Sequence, residues 1–339
     1  MNTLFHNALA RKTQKVPPIW FMRQAGRYHQ HYQGMRAKHS FDEMCKNPEL
    51  AAQVALGPVA EFDFDVSILF SDILYPLQAL GMGLEYTDHG PRLGFQLTSE
   101  TIKTLGPVDK AVEFMGFQKE AVKATRDVLP KDKSLIGFVG GPWTLFVYAA
   151  EGSHAGSLIN SKKQISLFTQ FMEKMLPLLK ENIRLQFEGG AEIVMIFDTA
   201  AGEVSPAFFK TYLAPVLKQL IQMYPGKLGY YSKGTQRAFF DQDFLNESWA
   251  GMGFDHRWNL PETFNIRNKG FIQGNFDQSL LFMDTPDFTK ELNNYLATFK
   301  DLSLEQRAGW VSGLGHGVLP KTPEKHVKMF VETVRKALS

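Results

Sequence analysis

The stretch SLIGFVGGPWTLFVY, residues 134–148, carries the pattern on which the rest of the chain is read. Its first six residues form a short run rich in β-formers. Gly140 and Gly141 then let the backbone bend sharply, and Pro142 suits the first turn of a helix. A strand that passes through a glycine turn into a helix is one step of an alternating α/β chain. Seven comparable runs lie outward from it in both directions: 18–22 (PIWFM), 66–70 (VSILF), 192–197 (EIVMIF), 227–231 (KLGYY), 252–255 (MGFD), 270–273 (GFIQ) and 309–313 (GWVSG). Segments with helical spacing fall between most of them, at 50–62, 112–128, 165–187, 206–223, 239–251 and 287–296, with a last one at 323–338. Alternation of this kind implies a parallel sheet. About eight such units is the repeat number of a (β/α)8 TIM barrel, whereas an open doubly wound sheet has fewer strands and often a glycine-rich dinucleotide turn. No Ser/Gly linker, low-complexity run or block of like charge divides the chain, so 1–339 is expected to be a single barrel domain.

Composition removes several function classes. Lys and Arg number 37 against 35 Asp and Glu, for a net charge of +2, and no basic block offers itself to a nucleic-acid backbone. With 21% charged and 13% aromatic residues, the chain is not of disordered composition. Cys45 is the one cysteine, so neither an internal disulfide nor a cysteine-rich zinc site can form, and a reducing, cytoplasmic setting is expected. The opening MNTLFHNALARKTQKVPP lacks the apolar core of a signal peptide, and no run approaches the length of a membrane span.

A barrel gathers its active site at the C-terminal ends of its strands. Polar groups collect there in this sequence: MRQAGRY (22–28), SDIL (71–74), GGPW (140–143), DTAAG (198–202), SKG (232–234), HRW (256–258), GNFD (274–277) and GLGHG (313–317). Arg23 and Arg27 flank Gly26, so that both guanidiniums can face one way and grip two carboxylates, which points to an anionic substrate; pairing with surface acids is the plain alternative. Asp72 follows the apolar run 68–70 and can accept substrate N–H groups, act as a base, ligate a metal, or simply cap a helix. Tyr148 is a core residue or a ligand contact. Asp198 and Thr199 end the most hydrophobic run, where they can either cap or contact ligand, and His316 stands between two small residues with room for a ligand beside it. Lys233 could form a Schiff base if desolvated. His29 and His31 resemble a His-x-His metal pair but lie past the strand end, where surface histidines are the plainer reading.

Several longer pieces resemble uroporphyrinogen decarboxylases, the family that acts in haem synthesis. PPIWFMRQAGRYHQHY (17–32), LFSDILYPLQALGMGLEY (69–86) and IGFVGGPWTLFVYAAEG (136–152) are followed in family order by IFDTAAG, SKG, QGNFDQSLL and GLGHGVLP, ending at residue 320. The resemblance implies a cytoplasmic, homodimeric barrel that removes the four acetate carboxylates of uroporphyrinogen III as carbon dioxide, giving coproporphyrinogen III. It implies no metal, no organic cofactor, no membrane and no nucleic acid. Carried over by position, Arg23, Gln24, Ala25, Gly26 and Arg27 bind substrate carboxylates, Asp72 holds the pyrrole N–H groups, and Tyr148, Thr199 and His316 complete the contacts, with Asp72, Arg23 and Arg27 serving the chemistry. The chain departs from the family pattern at Ala200 and Ala201, where a bulkier residue is usual, and over 234–258. Two other functions share such a scaffold: a corrinoid methyltransferase, which needs zinc on a histidine and two cysteines, and a tetrapyrrole carrier without turnover.

Overall fold

The computed structural model describes residues 1–87, 90–154 and 156–339. Its centre is a seven-stranded sheet, parallel throughout: β1 (Val66–Ile68), β4 (Ser134–Gly140), β5 (Val194–Phe197), β6 (Leu228–Tyr231), β7 (Gly251–Gly253), β8 (Phe271–Phe276) and β9 (Trp310–Leu314), neighbours in that order. Apart from the half-buried Phe197, every residue of these strands is buried, as expected of a parallel sheet covered by helices on its outer face. A separate antiparallel hairpin, β2 (Leu84–Thr87) with β3 (Gly90–Leu93), follows β1 and was not signalled by the sequence pattern.

The run 18–22, expected as the first strand, is not a strand of this sheet. It makes one parallel bridge, Ile19 to Ser312 of β9, through Ser312 N–H to Pro18 O (2.9 Å) and Trp20 N–H to Ser312 O (3.4 Å). On its other side Asp65 N–H donates to Ile19 O at 2.9 Å, just before β1. The buried Asp65 carboxylate strengthens that side: it accepts from Ile19 N–H (2.7 Å), from the Asn2 amide (3.2 Å) and from Arg335 (3.4 Å). One side chain therefore ties the amino terminus, the 18–22 run and the last helix to the edge of the sheet.

The expected helices are present where an apolar face has a sheet to cover: Pro48–Phe62, Val108–Val128, Ile165–Gly189, Thr285–Lys300 and Glu324–Leu338. Gln186 anchors the third of these inside the fold, accepting from Phe138 N–H and donating to Phe138 O, both at 2.8 Å, in space that a side chain on Gly137 would fill. The helix expected at 206–223 is interrupted by a π-turn at Phe209–Leu213. That expected at 239–251 shrinks to Gln242–Leu245: Phe239, Phe240 and Phe244 read as a helical stripe, but they join Phe209, Tyr230 and Trp249 in an aromatic cluster, and β7 begins at Gly251. Leu260–Ile266, capped by Asn259, is a helix that the spacing did not reveal.

Removing the Asp65 carboxylate strands the buried Ile19 N–H and leaves Arg335 only its bonds to Asp63. Asp65→Ala should lower the unfolding free energy by about 2–4 kcal/mol in urea denaturation, and a change below about 0.5 kcal/mol would show that 18–22 does not depend on this residue.

Candidate active site

The loop after 18–22 begins with an unusual backbone. Arg23 has φ +57°, the left-handed region that non-glycine residues rarely occupy and that tends to mark functional loops. Its side chain then runs beside Gly317, where an ideal Cβ would stand 2.6 Å from Arg23 Cδ and 2.8 Å from Cγ. Glycine after His316 is what gives the Arg23 stem its path. The charged end is exposed, and it bears on Asp72, Tyr148, His154, Tyr231 and His316 together. One guanidinium thus links groups that follow β1, β4, β6 and β9.

Asp72 is half-buried, and one of its oxygens accepts from Leu74 N–H at 2.8 Å, which leaves lone pairs of the other for a ligand. Burial pushes its carboxyl up from the ordinary 3.8, while the Leu74 N–H, Arg23 and the Tyr86 hydroxyl pull it back down. Tyr86 comes from the hairpin, so nothing in the 66–74 stretch could have announced it. Its hydroxyl is buried without a hydrogen bond of standard geometry, and its ring stands over Phe41 with centroids 4.5 Å apart.

His316 is half-buried, and its neighbour Tyr231 fixes its proton. The Tyr231 hydroxyl donates to Gly315 O at 2.8 Å, since a carbonyl can only accept. Its contact of 2.9 Å with His316 Nδ1 then requires the imidazole to donate. Nδ1 carries the proton and Nε2 offers a bare lone pair. Burial, with Arg23, Lys233, His154 and His256 nearby, brings His316 down to about 3, so the ring is neutral near pH 7. Tyr231 closes β6, and the aromatic pair 230–231 before SKG is the sequence signal that could have identified it.

Tyr148 is half-buried on the helix Pro142–Glu151, and its hydroxyl pairs with His154 Nδ1 at 2.6 Å. Burial and the Asp72 charge push the phenol up to about 12, against Arg23. Thr199 is half-buried after β5, and among the described residues its hydroxyl has no partner. Its neighbour Asp198 is spent on structure: fully buried, it accepts from Thr144 N–H (2.8 Å) and Thr144 O–H (2.7 Å) and so caps that same helix. Ala200 and Ala201 are also fully buried, so their small size serves packing.

The remaining members of the first loop divide. Gln24 is 1% exposed; its amide donates to Val66 O (3.1 Å), its N–H to Phe21 O (3.2 Å), and its carbonyl accepts from Tyr28 O–H (2.7 Å), so it holds the loop in place. Among the described residues the N–H groups of Ala25, Gly26 and Arg27 make no hydrogen bond, and they are the donors this loop can offer an anion. Arg27 is exposed, and the ionisable group its charge shifts is Tyr32, so the structure does not bring it into the Arg23 set. Lys233 is exposed at the mouth and lacks the desolvation that a Schiff-base lysine needs.

His29 is not a surface histidine: it is fully buried, with Nε2 on Glu61 at 2.7 Å, while His31 is exposed. His29, Glu61 and Glu324 bring ligand atoms within 4.8 Å of one another. The His29 to Glu61 bond and the cap that Glu324 gives Gln30 N–H account for that grouping without a cation.

A parallel α/β sheet whose strand ends present a cation, a carboxylate, a phenol and a neutral imidazole has the chemistry of an enzyme for a polar, charged substrate. The comparisons agree with that class. Residues 1–337 match the family described as uroporphyrinogen decarboxylase (URO-D), and the chain belongs to it. It is 32% identical over 343 residues to the uroporphyrinogen decarboxylase of Solibacter usitatus, with 99% of this chain and 97% of that one aligned. To the enzyme of Thermus thermophilus it is 30% identical over 344 residues, covering 99% and 98%. Among solved structures, a methyltransferase from Methanosarcina mazei superposes with TM-score 0.74 over the full length of both chains at 19% identity, a likeness of fold. A B12-independent methionine synthase from a Shewanella species follows at TM-score 0.56 and 11% identity, over 88% of this chain and 90% of that one.

Two tests follow from the geometry. Gly317→Ala should push the Arg23 stem aside and lower kcat/KM by about 10–100-fold with little change in thermal stability; an unchanged kcat/KM would separate Arg23 from this glycine. Asp198 is pushed up to about 6 by burial, against 3.8 in the unfolded chain. Because the folded state keeps this proton to higher pH, its contribution to stability falls between about pH 4 and pH 6, by on the order of 2–3 kcal/mol, and stays lost above. Asp198→Asn keeps an oxygen for Thr144 and removes the charge. Urea denaturation should show equal or greater stability at pH 7 and a flatter profile below it, whereas a loss of several kcal/mol at pH 7 would mean that the buried charge is stabilising.

Proposed function

We propose that this chain catalyses the cofactor-independent decarboxylation of uroporphyrinogen III, converting its four acetate side chains to methyl groups and releasing coproporphyrinogen III. The observation that carries this reading is that the Arg23 charge acts on the half-buried Asp72 carboxylate and, at the same strand ends, on His316 and Tyr148. Family membership over nearly the whole chain supports the same reaction.

Losing carbon dioxide leaves an electron pair that needs a sink. The substrate supplies its own: an electron-rich pyrrole, protonated at a ring carbon, becomes a cation that takes up the pair as carbon dioxide leaves, and the resulting exocyclic methylene gains a proton from solvent while the ring-carbon proton departs, leaving the methyl group. Asp72 is suited to hold the pyrrole N–H groups and to offset that positive charge, since its position is fixed by Leu74 before reaction begins. Arg23 orients an acetate, and the free N–H groups of Ala25, Gly26 and Arg27 suit other carboxylates. A permanently protonated guanidinium is a poor general acid, which restricts Arg23 to binding and orientation. Neutral His316, with Nε2 bare, accepts a hydrogen bond, and Thr199 supplies a hydroxyl. A protein of net charge +2 meets a polyanion by placing Arg23 and Lys233 at one mouth.

The same reading takes 1–339 as one (β/α)8 barrel in which 18–22 fills the eighth place, supported by its bonds to β9 on one side and to Asp65 on the other. It also takes the protein to be a cytoplasmic homodimer that uses no metal. The zinc-dependent methyltransferase alternative is disfavoured by Cys45: it is the only cysteine, it is fully buried, and burial pushes its thiol well above the ordinary value, the reverse of a metal thiolate.

The test is an anaerobic incubation with uroporphyrinogen III after chelation of metals, then oxidation and separation of the porphyrins by carboxylate number. Seven- to four-carboxylate products are expected. Persistence of the substrate with folded, porphyrin-binding protein would favour the carrier. Asp72→Asn should keep porphyrin binding and lower kcat by about 10²–10³-fold. In wild type kcat should fall as pH drops through the raised Asp72 value. Arg27→Ala should mainly raise KM, and Arg23→Ala should lower kcat as well; equal effects of the two would erase the distinction drawn between them.

A further inference from the structure

His154 belongs to none of the stretches from which the site was expected, yet its Nδ1 lies 2.6 Å from the Tyr148 hydroxyl, with the ring centroids 5.2 Å apart. A phenol has one proton. With the neutral imidazole's proton on Nε2, the phenol, the stronger acid, donates in that contact and the bare Nδ1, the stronger base, accepts. Tyr148 then turns only lone pairs toward the pocket, which is the wrong polarity for a substrate carboxylate. An imidazolium has donors on both nitrogens, so protonation of His154 reverses the bond and releases the Tyr148 O–H.

We infer that His154 is a positioning residue that sets, by its own protonation, whether Tyr148 donates a hydrogen bond to a substrate carboxylate. The inference rests on the decarboxylase reading for the substrate's chemistry, a polycarboxylate with pyrrole N–H groups. The groups facing His154 come from several elements: Arg23 from the first loop and Lys233 from beyond β6 disfavour the imidazolium, Glu203 from beyond β5 favours it, and His316 from beyond β9 stands near; Tyr148 in turn faces Asp72. His154 is exposed on its outer side, but the desolvation of its inner side, with Arg23 and Lys233, holds it below the ordinary histidine value, so the free protein near pH 7 keeps Tyr148 turned away. A carboxylate arriving at the mouth offsets Arg23 and Lys233 and draws a proton to His154 from solvent. The arriving anion thereby produces the donor that binds it.

The experiment measures binding of uroporphyrin, the oxidised and inert eight-carboxylate ring, by fluorescence at about pH 6 and about pH 8 to wild type, H154A, H154L and Y148F. Wild type should weaken by about tenfold from the lower to the higher pH. H154A and H154L cannot accept the phenol proton, so at the higher pH each should bind several-fold tighter than wild type, and adding Y148F should abolish that gain. A simple loss of positive charge predicts weaker binding by H154A and H154L at the lower pH and no gain at the higher one. If H154A and H154L at the higher pH only equal or fall below wild type, the inference is overturned; the leucine keeps bulk at the site should alanine disturb the loop. Binding does not require turnover, so a wild type that binds with this pattern but never decarboxylates would sink the decarboxylase reading and leave His154 in its role. A wild type that binds no uroporphyrin at either pH overturns both.

Discussion

The stem of Arg23 occupies the space where Gly317 would carry a side chain, and the arrangement of the mouth follows from that close approach. Two loops far apart in sequence, one after 18–22 and one after β9, are pressed together there. The left-handed backbone at Arg23 costs on the order of 1 kcal/mol, and the surrounding loop sustains it through Gln24, whose amide, N–H and carbonyl are all engaged. Held in this way, one cation acts on Asp72, Tyr148, Tyr231 and His316 at once. Its effects differ in sign with the group: it favours the ionised carboxylate and phenol and disfavours the imidazolium.

That single charge explains how a mouth designed for carboxylates can also keep a carboxylate of its own. Asp72 would be pushed toward neutrality by burial alone, and the Leu74 N–H and Arg23 work against that. His316, by contrast, is kept neutral by burial and by every cation near it, and Tyr231 dictates which nitrogen is bare. Around Asp72 and His316 the site is therefore polarised before any ligand enters, with an acceptor and an anion at fixed positions. Pre-set polarity of this kind is what a reaction with a transient pyrrole cation requires, because nothing has to reorganise as the charge develops.

Most of the sheet could be read from the chain because a buried parallel strand is a short apolar run ended by a turn, and 66–70, 134–139, 192–197, 227–231, 252–255, 270–273 and 309–313 all have that form and all overlap a strand. The run 18–22 has the same form but meets its neighbours through a few bonds only, one of them to the Asp65 side chain, which no periodicity encodes. The aromatic residues 239–244 misled for the opposite reason, since their spacing fits a helix face while their packing makes a cluster across elements. At the site, Arg23, Asp72, Tyr148, Thr199 and His316 stood out by their place after strands. Tyr86, Tyr231 and His154 act through contacts made in space, and Asp198 carries the chemistry of a ligand contact but is used as a helix cap.

The central claim is that Arg23 and Asp72 act as one unit on the same reacting group. A double-mutant cycle on kcat/KM for uroporphyrinogen, with Arg23→Gln, Asp72→Asn and the pair, tests it directly. The account predicts strong non-additivity, with the double variant scarcely worse than the poorer single one. Losses that simply add, within about 0.5 kcal/mol, would mean that the two residues serve the substrate independently and would contradict it.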